Sequence, residues 1–598
     1  MKINPVEITR TFDILDRYKE HYFNKEDVFV CKRDGVWKKF STADYINYSN
    51  WFSLGLIQLG LQKGDKIASI SSNMPEWNFI DIGMAQIGVV HVPIFPTIHR
   101  KEFEHIISHS EAKYLFISDK TLYQKFEPYT KSQAILKEIY VFNEIEGVHN
   151  WMEIVELGRR NEDSFETKLQ KIKSDIVPPD VAVLIYTSGT TDESKGVLLS
   201  HKNLVSNFIA ASTIFNLDPG FRYLSILPLC HVGGRLGNYQ TQYCGSSIYY
   251  AENMNAIASN MKEIQPEGFD AVPRILEKIL SSIIARGQKL TGFKKKVFFW
   301  AIDLGKKFND NTRNSFWYNI KLSIADRLVF SKWRRAIGGR IKIVGCGGAS
   351  LQPQVEKIFW AAGVKIINMY GLTETSPIIT INRQENPDIM LGSVGCLIKD
   401  CELKIADDGE ILCKGPNIMV EYYKDKNATA ATFDKDGWFL TGDIGFIKND
   451  KFLIITDRKK EMFKLANGKF IAPQLMENKL KESIYFDQAF VVGNGQKFVG
   501  AILSPNFENL KAWCETRNIL VQPPELLIKS SEVISYYTEI VDTLNKELLD
   551  YQRIKKILLV CDEWSTVTGE LSHTLKLRRK YLYQKYQHLI SQIYNQII

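Results

Sequence analysis

The feature that most constrains this 598-residue chain is an alternation that starts at Asp65. KIASISS, VVHVPIF and AKYLFIS read as strands, while PEWNFIDIGMAQIG and RKEFEHIISHS between them read as amphipathic helices. Apolar strands separated by such helices predict a parallel sheet covered on its faces. The same alternation recurs from Leu204 to Ile379, with YLSILPL, RIKIVGCG and KIINMYG as strands. Beyond about Gly392 the texture turns to short strands and Gly/Asp turns, as in CELKIADDGEILCKGP, which predicts an antiparallel, barrel-like segment. A small α+β pattern follows Asp457. The expectation is an α/β protein with an N-terminal domain over residues 1–457, built from two parallel-type α/β subdomains and a small β-barrel-like one, then a mobile α+β domain over 458–598. The boundary at Asp457 to Lys460 carries no Pro/Gly/Ser linker.

The chemistry concentrates first in VAVLIYTSGTTDESKGVLLSH, Val181 to His201. A buried strand runs into a loop with Thr187, Ser188, Gly189, Thr190 and Thr191, then Lys195 and Gly196, then a second apolar strand. Hydroxyls, exposed backbone N–H groups and one ammonium together suit a polyphosphate, whose oxygens need donors and whose charge needs a cation. The order of Lys and Gly, and the strand that follows, differ from the Walker phosphate loop.

This loop resembles the signature [YF]TSGTTGxPKG of the adenylate-forming enzymes, the superfamily of acyl-CoA synthetases, luciferases and adenylation domains, with Asp192 in place of the usual Gly and Ser194 in place of Pro. Further matches arrive in the family's order. LPLCHVGGR resembles LPLxHxxxR, which implies that His231 borders the acyl pocket and joins the catalytic set. GCGGAS and NMYGLTET resemble the adenine-binding segments: Gly348, Ala349 and Tyr370 would flank the base, Thr373 would bond the α-phosphate, and Glu374, with Thr187, would hold Mg²⁺. WFLTGD implies Asp443 as acceptor for the ribose hydroxyls, DRKKEMFKLANGKFIAP implies Arg458 toward the ribose and Lys460 as the hinge, and LSHTLKLRRKY implies Lys576 as the lysine that enters during adenylation. Singly, TGD is a common turn and KLRRK ordinarily a solvated basic face; eight matches in order across residues 186–579 carry the reading together.

Within the superfamily the chain is most similar to long-chain fatty acid–CoA ligases, through VPIFPT, VPRILEKI, ADRLVFSKWRRAIGGRIK and MVEYYKDKNATAATFDKDGWFLTGD, although Gly233 and Gly234 stand where those ligases often carry Phe and Glu. The resemblance implies ATP, Mg²⁺ and CoA, with a long-chain fatty acid as the other substrate. The rivals are an aryl-CoA ligase, a fatty acyl-AMP ligase, and a weakly catalytic nucleotide-binding membrane scaffold.

Lys and Arg number 76 against 68 Asp and Glu, and the excess has an address: residues 288–340 hold thirteen basic residues and three Asp, interleaved with Trp300, Trp317 and Trp333. A basic, aromatic-studded amphipathic stretch suits an anionic membrane surface, and equally a helix pair packing its aromatics inward. Nucleic acid is not expected, since no base-reading motif accompanies it. Nine scattered cysteines without a CxxC pair, and no secretory signal, point to a reduced, cytoplasmic protein, and the basic, aromatic stretch to a peripheral place on the inner face of the membrane. The uncharged run Ile82 to His99 contains His91, Pro93 and Pro96, which would break a membrane span.

Overall fold

The computed structural model describes residues 7–187, 194–215, 217–309, 315–385, 387–572 and 575–595. Two large sheets carry the N-terminal part. The first has seven strands in the order Glu421–Tyr422, Lys195–Ser200, Val181–Thr187, Val90–Ile94, Lys66–Ile70, Tyr114–Ile117 and Glu138–Val141. From Val181–Thr187 onward the pairing is parallel, with helices Pro75–Ala85 and Arg100–Ser110 as crossovers. The second has nine strands, and its parallel centre, Lys365–Gly371, Ile343–Cys346, Gly268–Ala271 and Arg222–Ser225, follows the other predicted alternation.

Pro75–Ala85 joins the two units. Proline pre-sets its first turn, and every residue of the helix is buried, including Asp81. A buried carboxylate needs partners. Asp81 has them: His91 at 2.5 Å, Arg235 at 2.9 Å and the Tyr239 hydroxyl at 2.5 Å. Burial works against its charge, but Arg235 and the His91 hydrogen bond hold Asp81 well below the usual carboxylate range. The network ties the helix Val232–Tyr243, which starts next to His231, to the junction of both sheets.

The segment beyond Gly392 is a four-stranded antiparallel sheet, Glu402–Ile405, Glu410–Lys414, Phe439–Lys448 and Phe452–Arg458. Its last strand leads directly into Lys460. After it, strands Phe486–Val492, Val499–Pro505 and Ile554–Leu559 form a separate small sheet under helices Pro473–Leu480, Phe507–Thr516 and Ser531–Asn545, with its own core around Met476, Leu503 and Tyr537. This body meets the rest through Arg274 and Asp487 at 2.5 Å, and through hydrogen bonds from Gln352 to the Lys481 carbonyl and from Gln354 to Glu482, both 3.0 Å.

The basic insertion forms helices Gly292–Lys306, Phe316–Ala325 and Ser331–Ala336, with a π turn over Asp326–Phe330. Some of its aromatics do pack inward: Phe298 and Phe330 are buried beside Ile358 and Phe359, and Trp333 is partly buried against them. Among the described residues no helix is long and apolar enough to cross a membrane; the uncharged run Ile82 to His99 is a helix end followed by a sheet strand.

Candidate active site

Strands Val181–Thr187 and Lys195–Ser200 are antiparallel partners, with Thr187 directly opposite Lys195 at the mouth of the predicted phosphate loop. Ser188, Gly189, Thr190, Thr191 and Asp192 lie outside the described residues. Lys195 sits with its ammonium 5.0 Å from the centre of the Tyr422 ring. Strand Glu421–Tyr422 pairs with Lys195–Ser200, which sets that ring over the loop's exit. The Tyr422 hydroxyl in turn donates to Glu374 Oε1 at 2.7 Å. Lys195 and Glu374, 179 residues apart, are thereby joined through a tyrosine to which the sequence motifs gave no role.

Glu374 belongs to the short 3₁₀ turn Thr373–Thr375, held where the Met419 N–H donates to the Glu374 carbonyl at 2.8 Å. Among the described residues its Oε2 has no hydrogen-bond partner, nor has the half-exposed Thr373 hydroxyl. No cluster of three or more His, Cys, Asp or Glu fit to hold a metal occurs among the described residues. One carboxylate oxygen beside hydroxyls suits Mg²⁺, which keeps waters and binds through one or two carboxylates plus substrate phosphates rather than a protein cage.

Among the residues predicted to flank the adenine, Gly348 lies in the loop that ends strand Ile343–Cys346 and has φ +84°, a left-handed conformation that strains any residue with a Cβ. Ala349 follows half-buried. Tyr370, on the adjoining strand, is buried and donates to Asp443 Oδ2 at 2.8 Å. Arg458 stands opposite Asp443 in the antiparallel register and donates from Nε to Oδ1 at 2.8 Å. Burial and the Asp443 charge push the Tyr370 hydroxyl well above its ordinary value, so it remains a donor. Tyr370, Asp443 and Arg458 thus form one hydrogen-bonded unit, with remaining lone pairs on the carboxylate for other donors.

Lys460 lies in the turn after strand Phe452–Arg458, exposed and without a side-chain partner among the described residues. Its neighbour Lys459 is held by Asp408 at 2.6 Å and Glu410 at 2.7 Å. The chain beyond Lys460 returns to the cleft at Lys576. A tight turn presents it: the Ser572 N–H donates to the Lys576 carbonyl at 2.8 Å, and Leu575 has φ +60°. Although Lys576 keeps exposed surface, crowding by protein displaces much of its water and pushes its pKa down; Arg458 reinforces this, while Asp443, Glu461 and Glu374 oppose it. Its charge also reaches His231.

His231 caps helix Val232–Tyr243, its Nδ1 accepting the Gly233 N–H at 3.0 Å. Burial, aided by Lys576, lowers its pKa to about 4. The imidazole is therefore neutral near pH 7, with its proton on Nε2. The departures at Gly233 and Gly234 have a local reason: a Cβ at Gly234 would lie 2.3 Å from the Pro228 carbonyl oxygen, and one at Gly233 only 3.1 Å from His231 Nδ1.

Sequence reading missed Arg579. Three residues after Lys576, it bonds Glu461 at 2.9 Å and Glu477 at 3.0 and 2.6 Å, and Glu477 is buried. In KLRRKY it looked like part of a solvated basic face; the burial of Glu477, about a hundred residues earlier, is what distinguishes it. A cavity of about 570 Å³ between the two bodies, lined by Arg274, Leu280, Ile302, Val355, Ile484 and Asp487, contains none of the residues predicted for phosphate, adenine or ribose and is separate from this cleft.

Comparison with known proteins agrees in extent. The family model described as AMP-binding enzyme matches residues 19–423, and that of the AMP-binding enzyme C-terminal domain matches 460–597. The long-chain-fatty-acid–CoA ligase FadD15 of Mycobacterium bovis is 30% identical over 96% of this chain and 96% of its own. The peroxisomal long chain acyl-CoA synthetase 6 of Arabidopsis thaliana is 28% identical over 91% of this chain and 80% of its own. In fold, the chain is similar to the A domain of a carboxylic acid reductase from Segniliparus rugosus in complex with AMP and a co-purified carboxylic acid, with TM-score 0.73 at 19% identity over 98% of this chain and 94% of that one.

Proposed function

The chain belongs to the AMP-binding enzyme family, and from that premise we propose that it is an ATP-dependent long-chain fatty acid–CoA ligase, cytoplasmic and peripheral on the inner face of the membrane. The observation that carries the catalytic reading is the hydrogen-bonded geometry that joins Asp443 to Tyr370 and Arg458 and Glu374 to Tyr422, with Lys576, from beyond Lys460, in electrostatic reach of Glu374, Asp443, Arg458 and His231. The names of relatives matched over nearly the whole chain support the long-chain acid and the use of CoA.

A carboxylate at neutral pH is a poor electrophile, so the acid attacks the α-phosphorus of ATP, releasing pyrophosphate and forming acyl-AMP. Gly348, Ala349 and Tyr370 flank the base. Asp443 accepts the ribose hydroxyls, with Tyr370 and Arg458 fixing its orientation. Lys195 and the hydroxyls of the Thr187–Thr191 loop neutralise the leaving pyrophosphate, while Thr373 and Lys576 meet the charge that builds on the α-phosphate, by preorganised electrostatics rather than a covalent intermediate on the enzyme. Glu374, with Thr187, would hold Mg²⁺, which when bound offsets phosphate charge. Neutral His231 offers its Nε2–H to the acid. In the second step the CoA thiol attacks the acyl carbonyl and AMP leaves. For that step the body after Lys460 rotates, withdrawing Lys576 and parting Arg274 from Asp487.

Purified protein with ATP, Mg²⁺, CoA and a labelled long-chain acid is expected to give the CoA thioester. Accumulation of acyl-AMP that proceeds to a thioester only when a carrier protein replaces CoA would overturn the assignment of the acceptor.

A further inference from the structure

Helix Phe316–Ala325 and the π turn after it are apolar on two opposite sides. Inward, the Tyr318 hydroxyl donates to the Leu304 carbonyl at 2.9 Å, and Ala325, Val329 and Phe330 are buried. Outward, Phe316, Ile320, Ile324 and Leu328 recur every fourth residue with 73%, 38%, 48% and 45% of their surface exposed, and Trp317 beside them is 69% exposed. The neighbouring helix Gly292–Lys306 exposes Phe293 at 79% and Trp300 at 36%, two turns apart. Single exposed apolar residues are ordinary; a stripe continued over three turns and joined by aromatics from a second helix is a surface built to be covered.

The rim decides what covers it. Lys294, Lys296, Lys321, Arg327, Lys332 and Arg335 are all exposed, and among the described residues none pairs with a carboxylate. The two described acids of the insertion are already occupied, Asp303 by Lys306 at 3.2 Å and Asp326 by Arg334 at 2.5 Å. A second copy of the chain would bring like against like. Nucleic acid would meet the cations but leave the aliphatic stripe of Ile320, Ile324 and Leu328 without a partner, since those residues cannot stack on bases. An anionic bilayer satisfies both: aromatics and aliphatics settle at the headgroup boundary and basic residues meet lipid phosphates.

We propose that Phe316, Trp317, Ile320, Ile324 and Leu328, with Phe293 and Trp300, form a docking face that enters the interface of an anionic phospholipid membrane, held there by the basic rim. This deepens the peripheral placement given above and rests on it only for its purpose. A long-chain acid partitions into the same bilayer, and on its inner side helix Gly292–Lys306 packs against helix Pro353–Ala361, which follows the Gly348–Ala349 loop. Docking therefore sets the adenine-side wall of the cleft one helix layer from the membrane.

The test uses the full chain and phosphatidylcholine vesicles with and without phosphatidylglycerol, read by co-sedimentation and by tryptophan emission. Binding is expected on the anionic vesicles, with a blue shift from Trp317, and it should weaken as salt rises. The triple variant Phe316→Ser, Trp317→Ser, Ile320→Ser should lose more than about tenfold in partitioning, since each of these side chains gives up interfacial burial. The pair Lys321→Glu, Arg327→Glu should lose binding to anionic vesicles while leaving the neutral baseline unchanged. All five positions are solvent-facing, and unchanged ATP–pyrophosphate exchange with a water-soluble acid verifies that the variants fold. Equal binding to neutral and anionic vesicles, no binding, an unaffected triple variant, self-association through this face, or preference for an oligonucleotide over vesicles would each overturn the docking face. Vesicle binding as described without exchange for any acid would leave the docking face standing and remove the ligase reading instead.

Discussion

Arg579→Met isolates the contact that ties the Lys576 turn to the body after Lys460. The substitution deletes three charge-assisted hydrogen bonds, one to Glu461 and two to Glu477. It leaves Glu477, 3% exposed, with the Val491 N–H at 2.8 Å as its remaining partner. Removing one member of a buried ion pair costs about 3–5 kcal/mol, because the other charge stays desolvated. Since about 1.4 kcal/mol is a factor of ten, the opening equilibrium around Glu477 should shift by roughly two to three and a half orders of magnitude. Hydrogen exchange at Val491, the amide bonded to Glu477, reads this directly. Burial already raises the Glu477 pKa against the pull of Arg579, and a carboxyl with a raised native pKa contributes stability at low pH that is lost as pH rises. The deficit of the variant should therefore be greatest at neutral pH and above, and shrink as pH falls and Glu477 takes up a proton. Displacing the turn should also slow adenylation by about a hundredfold, the scale expected for an ångström-level misplacement. Adding Glu477→Gln should recover most of the exchange protection. Protection at Val491 within a factor of about three of the parent, where an unpaired buried carboxylate predicts a loss of hundreds, would refute the reasoning.

Other expected outcomes follow from single contacts. Gly348→Ala places a Cβ at φ +84° and should cost about 1 kcal/mol or more, raising the KM for ATP more than that for the acid; an unchanged KM for ATP would remove Gly348 from the nucleotide side. Tyr370→Phe removes one donor from Asp443 and should weaken nucleotide binding by about 1 kcal/mol, near fivefold, read by calorimetry with AMP. Because the surrounding protein displaces water and lowers the Lys576 pKa, adenylation should decline on the alkaline side below the ordinary lysine value of about 10.4, and Lys576→Arg should move that limb upward; a limb that stays put in the Arg variant belongs to another group.

The fold was legible where one periodicity decided it. KIASISS, VVHVPIF and AKYLFIS are the strands Lys66–Ile70, Val90–Ile94 and Tyr114–Ile117, because apolar runs of that length between helices have one economical packing. The antiparallel texture after Gly392 was likewise visible, while its arrangement as four strands in a row depends on pairing that turn residues alone do not encode. The insertion shows the limit of periodicity. Phe316, Ile320, Ile324 and Leu328 have the spacing of a buried face, and so do Tyr318, Leu322, Ala325 and Val329; which set faces inward depends on the neighbouring helix. In the site, most roles could be carried over from motifs, but those of Tyr422 and Arg579 could not, although both lie within matched segments, since a tyrosine in EYYKDK and one cation among KLRRK differ from their neighbours only through partners distant in sequence.

ATP–pyrophosphate exchange measured over acids from short to very long chain, for the parent protein and for Lys576→Ala, tests the central claim most directly. The account predicts exchange that is strongest with long-chain acids, its loss in Lys576→Ala, and retention in that variant of thioester formation from supplied acyl-AMP and CoA. Absence of exchange with every acid, exchange confined to aromatic acids, or equal loss of both half-reactions in Lys576→Ala would contradict it.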